Sequence, residues 1–141
     1  MNVQLADQQT DLTRLAEVMH QLRPQHTILA LTKMMREQMQ DNYQIAYIED
    51  EKQVLSVAGF VIGKKLAWGK HVYVDDLVTN ECVRSKGAGK AMIEWLKQYA
   101  LENNCQQLHL DSGVQRYLAH RFYLREGFII ASHHFSISPL N

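Results

Sequence analysis

A glycine-rich turn carries the clearest chemical signal in this sequence. It reads Arg84-Ser85-Lys86-Gly87-Ala88-Gly89-Lys90 and lies between a predicted strand and a long predicted helix. The first backbone N–H groups of a helix lack intrahelical partners and carry the positive end of the helix dipole. Glycines let the backbone approach an anion closely, and three cationic side chains add positive charge. The pattern predicts a phosphate cradle; the alternative is a tight strand-to-helix turn without a ligand.

Two familiar phosphate-binding motifs do not match this turn. A Walker A loop needs glycine where Arg84 stands, and it needs Ser or Thr where Ala91 follows Lys90. A Rossmann fingerprint needs three spaced glycines directly after a strand, and only two are present. The turn is therefore not predicted to bind a nucleotide in either of these ways.

Two adjacent carboxylates interrupt an apolar stretch just before the turn. Asp75 and Asp76 follow Val72-Tyr73-Val74 and precede Leu77-Val78. In a regular strand, neighbouring side chains face opposite sides, so at most one of the two would point into a cleft. Because an unpaired buried charge is costly, these carboxylates need a reason to be there. The residues alone leave three explanations open: a catalytic role, a salt bridge or a turn cap.

Composition excludes several classes of protein. The chain has 141 residues, of which 46% are hydrophobic and 21% charged, as expected for a globular protein. Fifteen basic and fifteen acidic residues balance, which argues against a nucleic-acid-binding module. Two cysteines make no disulfide framework, and no apolar run approaches the ~20 residues of a membrane helix. With no signal peptide and no metal-site spacing, we expect a cytoplasmic protein without metal.

Hydrophobic periodicity predicts ten elements in the order β-α-α-β-β-β-α-β-α-β. Three successive strands with short loops imply an antiparallel meander, and the strand–helix–strand that follows implies one parallel pair. We expect a single domain over residues 1–141, with a mixed sheet and helices on its faces. The predicted helices cover 10–22, 27–40, 87–104 and 114–126, and the predicted strands cover 3–5, 43–47, 54–66, 71–79, 108–111 and 128–137.

Two segments together resemble the GNAT superfamily of N-acetyltransferases. Residues 77–90, LVTNECVRSKGAGK, are similar to its acetyl-CoA-binding pattern Gln/Arg-x-x-Gly-x-Gly/Ala. Residues 116–128, RYLAHRFYLREGF, are similar to its later motif through Ala119, Tyr123 and Gly127-Phe128. The resemblance implies a GNAT-like α/β (α+β) fold: a mixed, mostly antiparallel sheet with a splayed parallel strand pair and helices on both faces.

The resemblance also implies where acetyl-CoA would bind as co-substrate. Its diphosphate would sit on the amides of the glycine-rich turn, and its pantetheine arm would lie along the preceding strand. Family members commonly have Asn where this chain has Arg116, so Arg116 is expected to contact the cofactor or, instead, the substrate. The implied cofactor-binding residues are Leu77, Val78, Thr79, Arg84, Ser85, Lys86, Gly87, Ala88, Gly89, Lys90 and Arg116.

Catalytic roles follow from the same resemblance. Tyr123 matches the tyrosine that often protonates the departing thiolate, and a phenol with a pKa near 10 carries that proton at neutral pH. The alternative is a buried aromatic residue beside Phe122. Asp76 is the first choice for a base or amine anchor, and Asp75 is the second.

The acceptor side is predicted less sharply. Trp68 and Tyr73 either line an acceptor pocket or pack within the core, Asp111 ends a strand near the expected cleft, and His120 is a proton shuttle or a structural residue. The resemblance implies transfer of acetyl to a small-molecule, peptide or protein amine in a ternary complex. A non-catalytic acyl-CoA-binding or regulatory protein of the same fold is the alternative. No membrane or nucleic-acid partner is expected, and a homodimer stays open.

Overall fold

A computed structural model describes residues 1–141, except for the side chain of Ser85. The chain divides into two compact units, Met1–Leu110 and Asp111–Asn141, which are described separately below. The single domain expected over the whole chain stays a prediction.

The first unit is a five-stranded sheet with three α-helices. The strands are hydrogen-bonded in the order β1-β2-β3-β4-β5, antiparallel except for the parallel pair β4–β5. This is the mixed, mostly antiparallel sheet that the sequence predicts. The elements are β1 Val3–Leu5, α1 Leu12–Leu22, α2 Ile28–Met39, β2 Tyr43–Glu49, β3 Val54–Lys65, β4 Gly69–Thr79, a 3₁₀ helix Glu81–Lys86, α3 Ala88–Glu102 and β5 Gln107–Leu110.

Side-chain caps fix the beginnings of the first two helices. The Asp11 carboxylate accepts a hydrogen bond from the backbone N–H of Thr13, and the Thr27 hydroxyl accepts one from that of Ala30. Each cap satisfies a donor that the first helical turn leaves without a partner. The helix α1 ends at Leu22 because Pro24 follows shortly, and the residue before a proline avoids helical geometry.

Helices cover both faces of the sheet. On one face, α1 and α2 pack against side chains of β2 and β3 in one apolar cluster that includes Leu15, Tyr43 and Val57. On the other face, the Phe60 ring of β3 makes edge contacts with Trp95 and Tyr99 of α3. The alternation of strand side chains supplies these two apolar faces, as the period of two in β2 and β3 predicts.

The parallel pair covers only half of β4. Its ladder joins His71–Val74 to Gln107–Leu110, where β5 ends, while β4 continues to Thr79. Between β3 and β4 the register also shifts, because Gly59 pairs with Asp76 whereas Phe60 pairs with Val74. Asp75 is therefore the extra residue of a β-bulge. The second half of β4 runs past the end of β5.

The second unit contains one helix, α4 Tyr117–Arg125. Gly127 follows it with φ of 97°, a left-handed conformation that glycine adopts at helix ends. The strand predicted over 128–137 is wrong, since these residues form neither helix nor strand and most are exposed. A strand needs a neighbouring strand for its ladder bonds, and none of the described residues of this unit forms one.

Candidate active site

The glycine-rich turn adopts the geometry of an anion cradle. Gly87 has φ of 81° and ψ of 15° and directly precedes α3. This left-handed conformation favours glycine, because a Cβ atom there approaches its own backbone. A Cβ built on Gly87 would meet no atom within 4 Å, so open space faces the turn.

Backbone donors at the start of α3 face no intrahelical acceptor. The Ala91 N–H donates to the Gly87 carbonyl at 3.1 Å, which is the first bond of the helical ladder. The N–H groups of Ala88 and Gly89 precede that bond, and the first N–H groups of a helix have no carbonyl four residues earlier within it. The 15 residues of α3 add the positive end of a full helix dipole. Donors and dipole together suit a bound anion.

Three cations surround these donors. Arg84, Lys86 and Lys90 are exposed. Lys86 Nζ lies 3.6 Å from Asp50, and Lys90 Nζ lies 3.8 Å from Glu94. Ion pairs this exposed are weak, so exchanging them for contacts with an anion costs little. Backbone donors, cations and open space fit the diphosphate of coenzyme A; the predicted contact through the Ser85 side chain lies outside the described residues.

The far half of β4 leads into the 3₁₀ helix and the glycine-rich turn. Leu77, Val78 and Thr79 are half-buried and pair with β3 on one side, while the ladder with β5 has already ended. A strand with one side free of its neighbour can pair with an extended ligand through main-chain hydrogen bonds. All four residues of β5 pair with β4, so the splaying that the resemblance implies stays a prediction.

Asp76 lies at the centre of a polar cluster drawn from three elements. Its Oδ1 accepts from Nε of Arg23 at 3.0 Å, and its Oδ2 accepts from the Tyr43 hydroxyl at 2.6 Å. Nη2 of Arg23 lies 2.9 Å from the same carboxylate and donates to the Asp75 carbonyl at 3.0 Å. The Asp76 side chain is only 18% exposed, so this pairing compensates a half-buried charge. The salt bridge left open by the sequence is thus present.

Gly59 makes room for this arrangement. A Cβ atom at Gly59 would overlap the hydroxyl end of the Tyr43 ring, which crosses β3 at this point to reach Asp76. Burial raises the pKa of Tyr43, and the negative charges of Asp76 and Asp75 raise it further. The Tyr43 hydroxyl therefore keeps its proton and donates it in a hydrogen bond to Asp76. A glycine in the middle of β3 has a packing reason.

A hollow opens beside the cluster, between α1, α2 and the sheet. Its volume is about 190 Å³, and it is open to solvent on one side. Its polar wall is the Arg23–Tyr43–Asp76 cluster. We call it the Asp76 pocket. Its apolar wall, the methionine wall, consists of Met19, Leu31, Met34 and Met35, and Gln25, His26 and Gln38 complete the lining.

The Asp75 side chain lines a different hollow. It is exposed and lines a recess together with Tyr73 and Lys65. Asp75 is the extra residue of the bulge, yet it lines this recess with Tyr73, two residues earlier, while Asp76 lines the other hollow. The neighbouring carboxylates therefore face different sides, as expected of strand residues. The two carboxylates are thus separated, with Asp76 paired and half-buried and Asp75 exposed.

Trp68 and Tyr73 belong to an aromatic stack. The Trp68 ring lies 3.5 Å from the His109 ring and 5.9 Å from the Tyr73 ring, measured between centroids. Lys65 Nζ lies 4.1 Å from the centroid of Trp68. These contacts occupy much of the indole surface and hold the β3–β4 turn beside β5. The packing alternative for Trp68 and Tyr73 is therefore present, and their contact with an acceptor stays a prediction.

Within the second unit, Tyr123 is buried and contacts the rings of Phe122 and Phe128. Burial raises the pKa of Tyr123, while the Arg116 guanidinium acts in the opposite direction through its charge and a hydrogen bond. The phenol accordingly stays protonated at neutral pH. The contact with Arg116 is the one that the structure gives for this predicted cofactor-binding residue.

The two remaining predicted substrate residues also lie in the second unit. Asp111 Oδ2 lies 3.0 Å from Nδ1 of His134. Nε2 of His120 donates to the carbonyl of Gly113 at 2.7 Å. Both side chains thus have partners within this unit, and their contact with a substrate stays a prediction.

Arg23 and Tyr43 were missed by sequence reasoning. Arg23 stands 53 residues before its partner Asp76, and no local motif connects them. One signal was available: a carboxylate in an apolar strand requires a compensating cation. The cations near helix ends were candidates, but spacing alone does not select one of them.

The described part of the chain indicates neither a membrane-spanning helix nor a metal site. No helix there has the length and apolar character needed to cross a bilayer. No group of three or more His, Cys, Asp or Glu side chains there is arranged to hold a metal ion. Cys82 and Cys105 are both free.

Comparison with known proteins gives a consistent family. The profile of the acetyltransferase (GNAT) family matches residues 15–128. YhdJ, an uncharacterized N-acetyltransferase of Bacillus subtilis (strain 168), is 31% identical over 96 residues, which cover 67% of this chain and 68% of YhdJ. A second relative, the uncharacterized N-acetyltransferase MJ1530 of Methanocaldococcus jannaschii, is 34% identical over 51% of this chain and 46% of its own.

Solved structures share the fold at low sequence identity. The aminoglycoside N-acetyltransferase AAC(6')-Iy in complex with CoA has a TM-score of 0.83 at 15% identity, covering 96% of this chain and 92% of its own. A ribosomal-protein-alanine N-acetyltransferase from Brucella melitensis biovar Abortus 2308 has a TM-score of 0.82 at 14% identity, covering 97% and 99%. The names of these two neighbours give unrelated acceptors, so the fold does not determine the acceptor.

Proposed function

The chain belongs to the acetyltransferase (GNAT) family and is an acetyltransferase, and we propose that it transfers the acetyl group of acetyl-CoA to a primary amine in a ternary complex. The observation that carries this proposal is the turn at Gly87, where backbone donors and exposed cations face open space. Family membership favours the enzyme over a non-catalytic acyl-CoA-binding protein.

The glycine-rich turn would hold the diphosphate of acetyl-CoA. The amides from Arg84 to Lys90 supply donors, and the cationic side chains compensate the charge. The pantetheine arm would follow Leu77–Thr79, where β4 runs past the end of β5. Acetyl-CoA supplies the acetyl group as a thioester, which an amine can attack without a covalent enzyme intermediate. Arg116 as a further cofactor contact remains part of this proposal.

Asp76 would anchor the acceptor amine. A carboxylate has about four lone-pair sites, and the Tyr43 hydroxyl and Arg23 occupy only part of them. An amine N–H can therefore still bind. Because Arg23 and Tyr43 hold the carboxylate from two sides, its position is fixed before the amine arrives. Asp75 is the second choice, since it is exposed and lies outside the cluster.

Acetyl transfer needs no reactant besides the amine and acetyl-CoA. The amine nitrogen attacks the thioester carbonyl, forming the C–N bond while the C–S bond breaks. The amine passes a proton to Asp76 or to water, and the departing thiolate gains one. We propose Tyr123 as the donor to the thiolate, because burial keeps this phenol protonated at neutral pH.

A thiol-release assay over a panel of primary amines tests this function. We expect coenzyme A release that depends on an amine, with the acetylated amine detected by mass spectrometry. Initial rates should follow a sequential pattern with no acetylated enzyme. Coenzyme A binding without transfer to any amine would favour the non-catalytic alternative, and ping-pong kinetics with an acetyl-enzyme would contradict direct attack.

Replacing Tyr123 with Phe tests the proton donor. The variant keeps the ring and loses the hydroxyl, so turnover should fall about 10²-fold, in the range for general acids. Coenzyme A affinity, measured by calorimetry, should stay nearly unchanged. If turnover is unaffected, Tyr123 is not the acid.

A cytoplasmic location and homodimerisation also stay predictions.

A further inference from the structure

The lining of the Asp76 pocket restricts the charge of the acceptor. Its charged side chains are Arg23 and Asp76, which pair with each other. The neighbouring recess holds Asp75 together with Lys64 and Lys65. Over the residues that the structure describes as lining them, neither hollow carries net negative charge. A polycation would find no cluster of carboxylates to compensate it.

Methionines form an adaptable, apolar part of the pocket lining, beside the polar Gln25, His26 and Gln38. Met19, Leu31 and Met35 are each no more than 4% exposed, and Met34 is half-buried at the pocket surface. Methionine side chains are unbranched and polarisable, so they can fit around ligands of irregular shape. Removing an apolar group from water into such a wall is favourable, at ~25 cal/mol per Å². A charged group placed against the methionine side chains would lose part of its hydration there.

The volume of the pocket limits the size of the acceptor. The pocket volume of about 190 Å³ lies below the usual range of ~300–1,000 Å³ for sites that hold drug-sized ligands. An amine that donates to Asp76 would direct its substituent along the methionine wall. The pocket thus suits one amino group on one compact apolar body.

We infer that the acceptor is a primary monoamine carrying a compact, uncharged apolar group, bound with its nitrogen at Asp76 and its substituent against the methionine wall. This inference rests on the proposed function and adds the substrate class. It contrasts with acceptors that carry several positive charges, such as polyamines and aminoglycosides.

Competition between matched amines tests the inference. We would measure kcat/KM by coenzyme A release for 2-phenylethylamine and 3-methylbutylamine against spermidine and a lysine-containing peptide. The two apolar monoamines should be preferred by about tenfold or more, which corresponds to ~1.4 kcal/mol. A preference for spermidine or the peptide would overturn the inference and leave the proposed function intact. If no amine is acetylated, both fail.

A charge placed in the methionine wall gives a second test. Met34→Glu should lower kcat/KM for 2-phenylethylamine and raise it for spermidine, shifting their ratio about tenfold or more. Met34→Gln controls for lost apolar surface. Leu29→Glu adds the same charge on α2 at a side chain that is 82% exposed and outside the pocket lining, and it should leave the ratio unchanged. An unchanged ratio in folded Met34→Glu would overturn the inference.

Discussion

The glycine-rich turn and the Asp76 pocket are built in opposite ways. The turn uses backbone donors and exposed cations from one contiguous segment, Arg84 to Lys90, at the start of α3. The pocket takes its polar wall from α1's end, β2 and β4, through Arg23, Tyr43 and Asp76. The first needs only local geometry, whereas the second depends on tertiary packing.

This difference separates two kinds of recognition. Backbone donors at a helix start can bind a diphosphate whatever the acceptor is, so the turn suits a co-substrate shared by a whole family. Side chains from distant elements can be changed one at a time, so the pocket can set acceptor choice without disturbing the turn. Substitutions in the pocket should therefore change amine kinetics and leave coenzyme A affinity intact, and the reverse should hold for the turn.

Asp76→Asn should have the largest effect on kcat/KM for the amine. A small effect would contradict the assignment of amine binding to the Asp76 pocket. The substitution removes the charge that pairs with Arg23 and would anchor the amine. A hydrogen bond to a charged group contributes ~1.5–3 kcal/mol, so kcat/KM for the amine should fall about 10- to 100-fold. Acetyl-CoA affinity by calorimetry should stay within about twofold.

Asp75→Asn is the matched control for that substitution. It makes the same chemical change one residue away, at an exposed carboxylate outside the Arg23–Tyr43 cluster. We expect less than a threefold change in amine kcat/KM, roughly the 0.6 kcal/mol scale of surface changes. A larger loss in Asp75→Asn than in Asp76→Asn would transfer the anchor role to Asp75.

Gly59→Ala should affect stability next most strongly. The added methyl overlaps the Tyr43 ring end, and overpacking costs about 1–3 kcal/mol. Urea unfolding measures the change. In a Tyr43→Ala background the same substitution should cost much less, because the atoms it meets are gone. Equal costs in both backgrounds would show that Gly59 does not serve to admit Tyr43.

Tyr43→Phe should have a smaller effect on stability than Gly59→Ala, and the effect depends on pH. Folding raises the pKa of Tyr43 above the unfolded value of ~10, so folded protein holds this proton more tightly. The resulting stability is fully present below pH ~10 and is lost as pH rises above it. The advantage of wild type over Tyr43→Phe, about 1 kcal/mol near pH 8, should therefore shrink near pH 10.5. Urea unfolding at both pH values measures it, and a constant difference would contradict the coupling.

The sequence predicts the position of the turn, between a strand and a helix, because the signals for it are local. The glycines, the cations and the helix that follows lie within one short segment, and periodicity places that segment between strand and helix. The Asp76 pocket is different. The sequence marks Asp76 as a carboxylate that needs a partner, but Arg23 and Tyr43 are separated from it by 53 and 33 residues. Their approach depends on how α1 and β2 pack, which no local pattern specifies.

The same contrast between local and tertiary signals explains which elements of the fold the sequence predicts correctly. Helices and the antiparallel strands β2 to β4 follow from periodicity and short loops, and the structure has them close to the predicted bounds. The strand predicted over 128–137 fails because alternation shows only that a segment can be a strand. Forming it requires a neighbour that the sequence pattern does not supply. The bulge at Asp75 was also missed, since one extra residue leaves no signature in composition.

Calorimetric titration of coenzyme A into wild type and Gly87→Asn tests the central claim most directly. Asparagine tolerates the left-handed conformation of Gly87, so the fold should persist while its side chain fills the open space. Gly69→Asn makes the same change at another residue of positive φ, away from the turn. We predict binding to wild type and Gly69→Asn, with affinity about tenfold or more weaker for Gly87→Asn. Equal affinity in all three proteins, or no binding to wild type, would contradict a diphosphate site at this turn.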